Sequence, residues 1–501
     1  MEPAAAIRSA LAVLQRPDDV LPVYFLTPAV SVVVQTVVTG GVAVAMLYLW
    51  ATSRLERVLA ALAGRELQPP PPDAPAEAFD EWAASIAPAL EPVATPVVAL
   101  VAVATVLAAV VVFAAVVVAV TAAQLSACHG RLRDRRGMTA AVRGVGRFWT
   151  SILLVRVLEV AIWAVTVVTA LATVAVALLA GGLVGVFVSI VVVPAATGVL
   201  LAARAVFAFT VVAVVVDDVG VGDAVRGTLE FIAVNPAAAV AYYVLAAVGV
   251  VGLSALAVLL AIVGGAPLVT VLGFAFVAPF LDLVKTGLYG GHRGTVSPPA
   301  APDERLVARL GRGLRRGCRE AVTFVRRAPH LHGLAAAILL GGGVLGWWSA
   351  GPFADAVSTS IAGRLADHEP VTATATFAAN NWTVAVGASL GGLVLAVPAA
   401  SALLVNGVVL GVYARTEEAP LELLAFVLPH GILELPAIVV AGALGLHLGV
   451  VAWRSWVGND GEALAEELRR AFWVLVGLGV VLVVAAIVEG FVSPYYYRPF
   501  L

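Results

Sequence analysis

Two ionisable side chains, His430 and Glu434, stand four residues apart in a strongly apolar stretch between Pro429 and Pro436. On a helix, this spacing places both side chains on the same face. An imidazole and a carboxylate are expensive to bury at membrane depth, and such groups usually mark a functional site. Three roles stay open for the pair: hydrogen bonding that holds the helix together, participation in binding or conduction, and catalysis.

Further polar and helix-breaking residues surround this pair in the sequence. Amide side chains are candidate hydrogen-bond partners, Gly431 allows close backbone approach, and each flanking proline lacks an N–H group. We therefore expect broken helices inside the membrane in this part of the chain. The candidate polar cluster consists of Asn380, Asn381, Asn406, Pro429, His430, Gly431, Glu434 and Pro436.

Other sequence motifs offer little chemistry. His330 and His332 have no carboxylate or thiol at ligand spacing, and Cys128 and Cys318 are too few for a disulfide framework. The sequence contains no glycine-rich phosphate loop, metal-protease helix or nucleophile elbow. We therefore predict no metal, no cofactor and no enzymatic activity.

Composition decides the class of protein. Hydrophobic residues make up 61% of the 501 residues and charged residues 12%, against about 45–50% and about 25% in soluble domains. Unbroken apolar runs of membrane length favour helices over a barrel. The sequence thus predicts an all-α, polytopic integral membrane protein in contact with the lipid bilayer. A net charge of −2 argues against a nucleic-acid partner.

About ten transmembrane segments are expected, and the arginine distribution predicts their orientation. The segments lie at roughly 21–51, 94–125, 149–180, 183–215, 236–263, 266–288, 331–350, 382–413, 421–453 and 471–490. The arginine-rich segments 129–147 and 291–330 should be cytoplasmic. The acidic, proline-rich loop 52–93 should lie outside, in a multi-pass protein of the cell membrane with a cytoplasmic N-terminus.

The segment 382–413 contains Gly391, Gly392 and Pro398. These residues are compatible with one long membrane span or with two shorter arms that enter and return. One long span would put the C-terminus inside. Two arms would put it outside and keep Arg469 and Arg470 inside. We favour the two arms, because they satisfy the positive-inside rule.

Two helical modules are predicted, joined by a proline-rich cytoplasmic linker at 291–304. The first module, 1–290, has six spans in hairpin repeats with amphipathic cytoplasmic helices, signalled by Ala5–Ser9, Ala140–Gly144 and Asp223–Gly227. Glu159 and Arg204, in neighbouring spans, are expected to pair. The second module, 305–501, begins with a basic helix. Association between the modules should be modest unless a large apolar interface forms.

The second module resembles the stage II sporulation protein M family. The resemblance is carried by Asn380-Asn381, Asn406-Gly407, the run Pro429-His-Gly-Ile-Leu-Glu-Leu-Pro-Ala-Ile438 and a glycine-rich helix after it. It covers about 305–501, whereas the first module only loosely resembles uncharacterised prokaryotic membrane domains. The resemblance implies a C-terminus outside the cell and a membrane protein that organises a complex.

The function predicted from these patterns is therefore a non-enzymatic membrane scaffold that holds other membrane or envelope proteins. The alternative is a transport or permease component that uses the intramembrane polar cluster. An intramembrane hydrolase with Glu434 as base is the least favoured interpretation, because no metal triad or nucleophile accompanies it. Self-association into a homo-oligomer stays open.

Overall fold

A computed structural model describes residues 2–62, 69–71, 74–262, 265–300, 304–354, 357–366, 368–458, 460–496 and 498. The chain is 89% helical and has no strands in these ranges. Ten of the described helices are long and apolar enough to cross a membrane. The predicted all-α, polytopic fold is confirmed. Parts of the loop 52–93 (63–68 and 72–73), of the linker (301–303) and of the C-terminal tail (497 and 499–501) lie outside the described residues.

Two helices, Arg54–Leu62 and Ala76–Leu90, lie in the loop 52–93. The rest of the first half forms six long apolar helices and two shorter amphipathic ones. They are α1 (Pro3–Leu14), α2 (Leu26–Ala51), α3 (Pro96–Leu132), α4 (Gly137–Ala180), α5 (Gly182–Ala213), α6 (Val221–Val234), α7 (Pro236–Ile262) and α8 (Pro267–His292). Gly181 connects α4 to α5 with a φ of 141°, a backbone conformation that favours glycine.

Two of the three predicted amphipathic segments are separate helices, α1 and α6. The third, Ala140–Gly144, forms the opening turns of the 44-residue helix α4. Prolines separate α1 from α2 and α6 from α7, whereas no proline occurs within α4 to end it.

Besides the short helix Ile361–Arg364, the second half forms six helices of 20 or more residues. They are α9 (Leu306–Arg327), α10 (Pro329–Ala350), α11 (Pro370–Gly391), α12 (Val397–Thr416), α13 (Pro420–Gly458) and α14 (Gly461–Phe491). A short helix, Ser493–Tyr496, follows α14. Glu369 caps α11 by accepting the N–H of Thr372 at 2.9 Å, and this bond lowers the pKa of the Glu369 carboxyl.

The segment 382–413 forms two arms rather than one span. The chain turns after α11 at Leu395 and Ala396, whose φ angles of 57° and 63° are left-handed. The α11 arm is antiparallel to α14, because Thr374 bonds the carbonyl of Ala486 and Trp382 that of Leu475. At 22 and 20 residues, each arm has the length of about one bilayer crossing.

The expected break at Pro429 and Pro436 is wrong. Both prolines lie inside α13, which continues over 39 residues. Each proline removes one intrahelical hydrogen bond, but prolines are tolerated in membrane helices when neighbouring groups accommodate the freed carbonyls. The interruption in this module is instead the turn between α11 and α12.

The two halves share one apolar core. Phe25 contacts Trp382 edge-to-face at a ring-centroid distance of 5.3 Å and Phe472 at 5.2 Å. Phe274 stacks on the same Trp382 at 6.1 Å. Buried residues from both halves form a single contiguous cluster around these rings. The two predicted modules are therefore in apolar contact through a shared core.

Glycines bring helix backbones into direct contact. A Cβ at Gly342 of α10 would overlap the Leu404 carbonyl of α12, and one at Gly346 would overlap that of Val408. Residue numbers rise together along both helices, so α10 and α12 run parallel. The basic helix α9 packs in the same way, with Gly317 against Gly477 of α14.

The two ends of this bundle differ in charge. We call the end that holds the α3–α4 connection and the linker before α9 the arginine end. Asp18, which precedes α2, contacts Arg316 of α9 and Arg469 of α14 there. Since α14 begins at the arginine end, its last turns lie at the opposite end, which we call the far end.

Candidate functional site

The central part of the predicted polar cluster lies where α13 faces the last turns of α14. The two helices are antiparallel: His447 pairs with Glu467 near the arginine end, and His430 approaches Glu489 near the far end. The short helix Ser493–Tyr496 closes the far-end site. Three elements therefore meet at His430.

His430 is buried, with 7% of its side chain exposed. Its Nδ1 lies 2.9 Å from the Oγ of Ser493, which is fully buried. Its Nε2 lies 3.9 Å from Oε1 of Glu489, too far for a hydrogen bond. Phe426, one turn earlier, contacts the imidazole edge-to-face at 5.3 Å. The ring is thus held from two sides, with Nε2 turned toward Glu489.

Two carboxylates face this imidazole. Ligand-type atoms of His430, Glu434 and Glu489 all lie within 4.8 Å of one another. Oε2 of Glu489 is buried and has no hydrogen-bond partner in the described structure. No arginine or lysine in the described ranges forms an ion pair with Glu434 or Glu489. We name His430, Glu434 and Glu489 the far-end triad; such a donor set could hold a metal ion.

The stretch that contains this triad also matches a known protein family. Residues 335–494 match the family model of Stage II sporulation protein M. The resemblance drawn from the sequence is therefore confirmed over the C-terminal part of the chain. No curated protein and no solved structure matches the chain.

All three triad residues and Ser493 fall within the segment that matches the family model. The predicted amides also fall within this segment, but they lie on other helices, away from the triad. Asn406 donates to the carbonyl of Ala402, one turn back on α12. Asn380 donates to Asn381 on α11. Neither bond involves His430 or Glu434. These amides therefore form hydrogen bonds within their own helices.

The remaining residues of the predicted cluster, Pro429, Gly431 and Pro436, lie in α13 and have no polar side chain. Gly431 is buried, and Pro429 is half-buried. Pro436 is exposed, and it lines an apolar groove between α13 and α10 together with Leu339, Leu340 and Val439. These three residues shape α13 beside the triad and contribute no polar side chain.

Sequence reasoning did not place Glu489 and Ser493 in the site. Ser493 is 63 residues from His430, so local spacing carries no sign of the contact. One signal was available: Glu489 is an acid near the end of an otherwise apolar span, and an acid at membrane depth needs a nearby partner.

A second buried polar cluster lies in the first half of the chain. Asp282 of α8 pairs with Lys285 at 2.7 Å and accepts the hydroxyl proton of Tyr24 at 2.9 Å. The Tyr24 oxygen also lies 3.2 Å from the Cys128 sulfur. Lys285 is the one lysine of the sequence, which could have drawn attention to it. Its charge is balanced by Asp282, so this cluster is a satisfied ion pair.

Proposed function

We propose that the protein is a membrane scaffold that holds other membrane or envelope proteins in a complex. The observation that carries this proposal is the close packing of the C-terminal helices. Backbone contacts at Gly342, Gly346 and Gly407 join α10 to α12, and Gly392 meets Gly445 of α13. A closely packed interior resists deformation, as a scaffold requires.

The outer surface supports the same proposal. Helix α9 places Val307, Leu310 and Leu314 on an exposed apolar stripe, with Arg315 and Arg319 exposed beside it. Amphipathic helices of this kind lie in the headgroup region of a bilayer, where arginines attract anionic lipids. A scaffold anchored in this way can present its remaining faces to partner helices.

Crosslinking in intact membranes tests the scaffold. A photo-crosslinking residue is placed at lipid-facing positions such as Leu340 and Val344, which are exposed on α10. We expect a small, reproducible set of membrane or envelope proteins at these positions. Crosslinks to lipid alone at every tested position would contradict the proposal.

A second candidate, a transport component, is favoured by one observation, the half-buried carboxylates of Glu434 and Glu489 beside the buried His430. Transport would require a water-filled path from this pair to an aqueous phase. Purified protein in sealed vesicles should then carry protons or cations, and Glu434→Gln should abolish the flux. A scaffold function predicts no proton or cation flux for the wild-type protein or for Glu434→Gln.

The proposed orientation places the arginine end in the cytoplasm of the cell. Arg133, Arg135 and Arg136 lie there between α3 and α4, as the positive-inside rule requires. Helix α14 runs from the arginine end to the far end, so this orientation puts the tail after α14 outside the cell. Cysteine introduced at Pro75 should react with an impermeant reagent applied from outside, and cysteine at Arg135 should not. Cys318, which is exposed, is first replaced by serine. The reverse labelling pattern would overturn the orientation.

A further inference from the structure

We propose that the far-end triad binds one divalent transition-metal ion, for which Zn²⁺ is the best match. His430 and Glu434 come from α13 and Glu489 from α14. One imidazole nitrogen and two carboxylate oxygens form a donor set found in zinc sites. The proposal goes beyond the scaffold function and does not depend on it.

The spacing of the ligand atoms suits a metal ion of this size. Ligands about 2.1 Å from a tetrahedral Zn²⁺ lie roughly 3.4 Å from one another. The imidazole nitrogen and the Glu489 oxygen are 3.9 Å apart, and all three ligand atoms lie within 4.8 Å. Small carboxylate rotations would bring them to bonding distance. A direct hydrogen-bonded contact would instead hold the His430 and Glu489 atoms at about 2.9 Å.

Charge balance also points to a cation. Two carboxylates face each other in a largely apolar environment, and none of the described arginines and lysines pairs with them. The buried Oε2 of Glu489 has no hydrogen-bond partner in the described structure. Charged groups are costly to bury unless they are paired or coordinate a metal. A divalent ion would neutralise both carboxylates and use the free oxygen.

The surroundings of His430 match the second shell of a metal ligand. A ligating histidine normally donates its other ring N–H to an oxygen, which fixes the tautomer and the ring orientation. Here Nδ1 faces the Ser493 hydroxyl at 2.9 Å. In the tautomer in which Nδ1 donates to this hydroxyl, Nε2 is an acceptor directed toward the carboxylates. A bound ion would join α13, α14 and the helix Ser493–Tyr496 at one point.

The donor set narrows the class of metal. Mg²⁺ and Ca²⁺ prefer ligand sets made of oxygen alone, and Cu⁺ prefers sulfur. Imidazole suits Zn²⁺, Fe²⁺, Ni²⁺ and Cu²⁺, but Ni²⁺ and Cu²⁺ prefer square-planar or tetragonal ligand sets. Three protein ligands with an open fourth position are typical of tetrahedral Zn²⁺.

The test uses the full-length protein, purified in detergent and stripped of metal by a chelator. After exposure to Zn²⁺ and desalting, elemental analysis should find about one Zn²⁺ per chain. Glu489→Gln and His430→Gln keep the size of each side chain similar and remove a ligand. Both variants should lower the affinity for Zn²⁺ by about tenfold or more.

The matched control is Glu467→Gln. Glu467 pairs with His447 at 3.0 Å between the same two helices, but at the arginine end and without a second carboxylate facing the imidazole. This variant should keep full Zn²⁺ binding. Ser493→Ala, which removes only the second-shell oxygen, should weaken binding by about 10–100-fold.

Thermal unfolding provides a readout that is independent of stoichiometry. At one fixed Zn²⁺ concentration, the melting temperature should rise for the wild-type protein and for Glu467→Gln, and should rise clearly less for Glu489→Gln, whose affinity for Zn²⁺ is lower. Co²⁺ bound in place of Zn²⁺ should give visible absorption bands that Glu489→Gln lacks. A wild-type protein that retains no Zn²⁺ and shows no stabilisation would overturn the proposal. Equal Zn²⁺ binding by wild type and Glu489→Gln would overturn it as well.

Discussion

Nη1 of Arg204 lies 3.1 Å from Oε1 of Glu159, across the neighbouring helices α5 and α4. The same carboxylate contacts Arg156 at 2.6 Å, and only 7% of its side chain is exposed. One buried acid therefore pairs with two arginines, on its own helix and on the neighbouring one. The pairing of Glu159 with Arg204, expected from their positions in adjacent spans, is present in the structure.

Replacing Glu159 with alanine should destabilise the protein, because both arginines would lose their counterion. Glu159 is buried, but Arg156 and Arg204 are 28% and 55% exposed, so the cost should lie between that of an exposed pair and that of a fully buried one, which is about 3 kcal/mol or more. Thermal unfolding of the purified protein in detergent measures the loss. Asp223→Ala serves as the control, since Asp223 and Arg226 form an exposed pair whose loss should cost less than about 1 kcal/mol. Equal melting temperatures for both variants would contradict this account.

Alanine substitutions at two adjacent glycines of α10 distinguish the effect of helix packing on stability from the effect of helix propensity. A Cβ at Gly342 would overlap the Leu404 carbonyl, whereas a Cβ at Gly341 would meet no atom within 4 Å. Gly342→Ala should destabilise the protein by about 1–3 kcal/mol through overpacking. Gly341→Ala should be neutral or stabilising, because alanine has the higher helix propensity. The same unfolding measurement compares them, and a Gly342→Ala variant as stable as Gly341→Ala would refute the close contact.

We propose that the linker 291–304 divides the chain into modules 1–290 and 305–501, and Asp18 allows a test. Its Oδ2 lies 3.2 Å from Arg316, 3.1 Å from Arg469 and 3.4 Å from Nε1 of Trp473. When residues 1–298 and 304–501 are co-expressed as separate chains, they should co-purify. Asp18→Ala should reduce the yield of the complex.

The control for this experiment is a second ion pair between the modules, Arg143 with Glu462, which is 70% and 67% exposed. Exposed pairs contribute little, so Glu462→Ala should leave co-purification unchanged. A C-terminal chain that is degraded even in the presence of its partner would place the boundary elsewhere.

The buried ion pair of Asp282 and Lys285 should be more important for stability than the hydrogen bond beside it. Asp282→Ala leaves a buried ammonium without a counterion, whereas Tyr24→Phe removes only a hydroxyl. We expect a loss of about 3 kcal/mol or more for the first variant and about 1–2 kcal/mol for the second. Melting temperatures of the two purified variants test the order, and the reverse order would contradict it.

The long apolar helices could be predicted because membrane length and hydropathy are local properties of the sequence. The residues at which these helices end could not be predicted in the same way. The second span was expected to end near residue 125, but α3 continues to Leu132. The polar residues from Gln124 to Arg131 include no proline, so the helix continues beyond the apolar run.

Features that depend on neighbouring helices were harder to predict. Gly391, Gly392 and Pro398 fitted both one span and two arms, and the packing of α11 on α14 distinguishes them. Pro429 and Pro436 suggested a break in the helix, yet α13 is continuous. His430 and Glu434 share a face because their spacing is local. Glu489 joins them only through the antiparallel packing of α14, which local spacing does not encode.

The basic helix α9 is fixed to α14 at the backbone level, with Gly317 against Gly477 and Gly313 beneath Trp473. Because no side chain separates the two backbones at Gly317, α9 cannot roll about its own axis without losing this contact. The angular position of its arginines and of the stripe at Val307, Leu310 and Leu314 is therefore set by the bundle. When that stripe enters the headgroup layer, the depth and tilt of the whole protein in the bilayer are fixed with it.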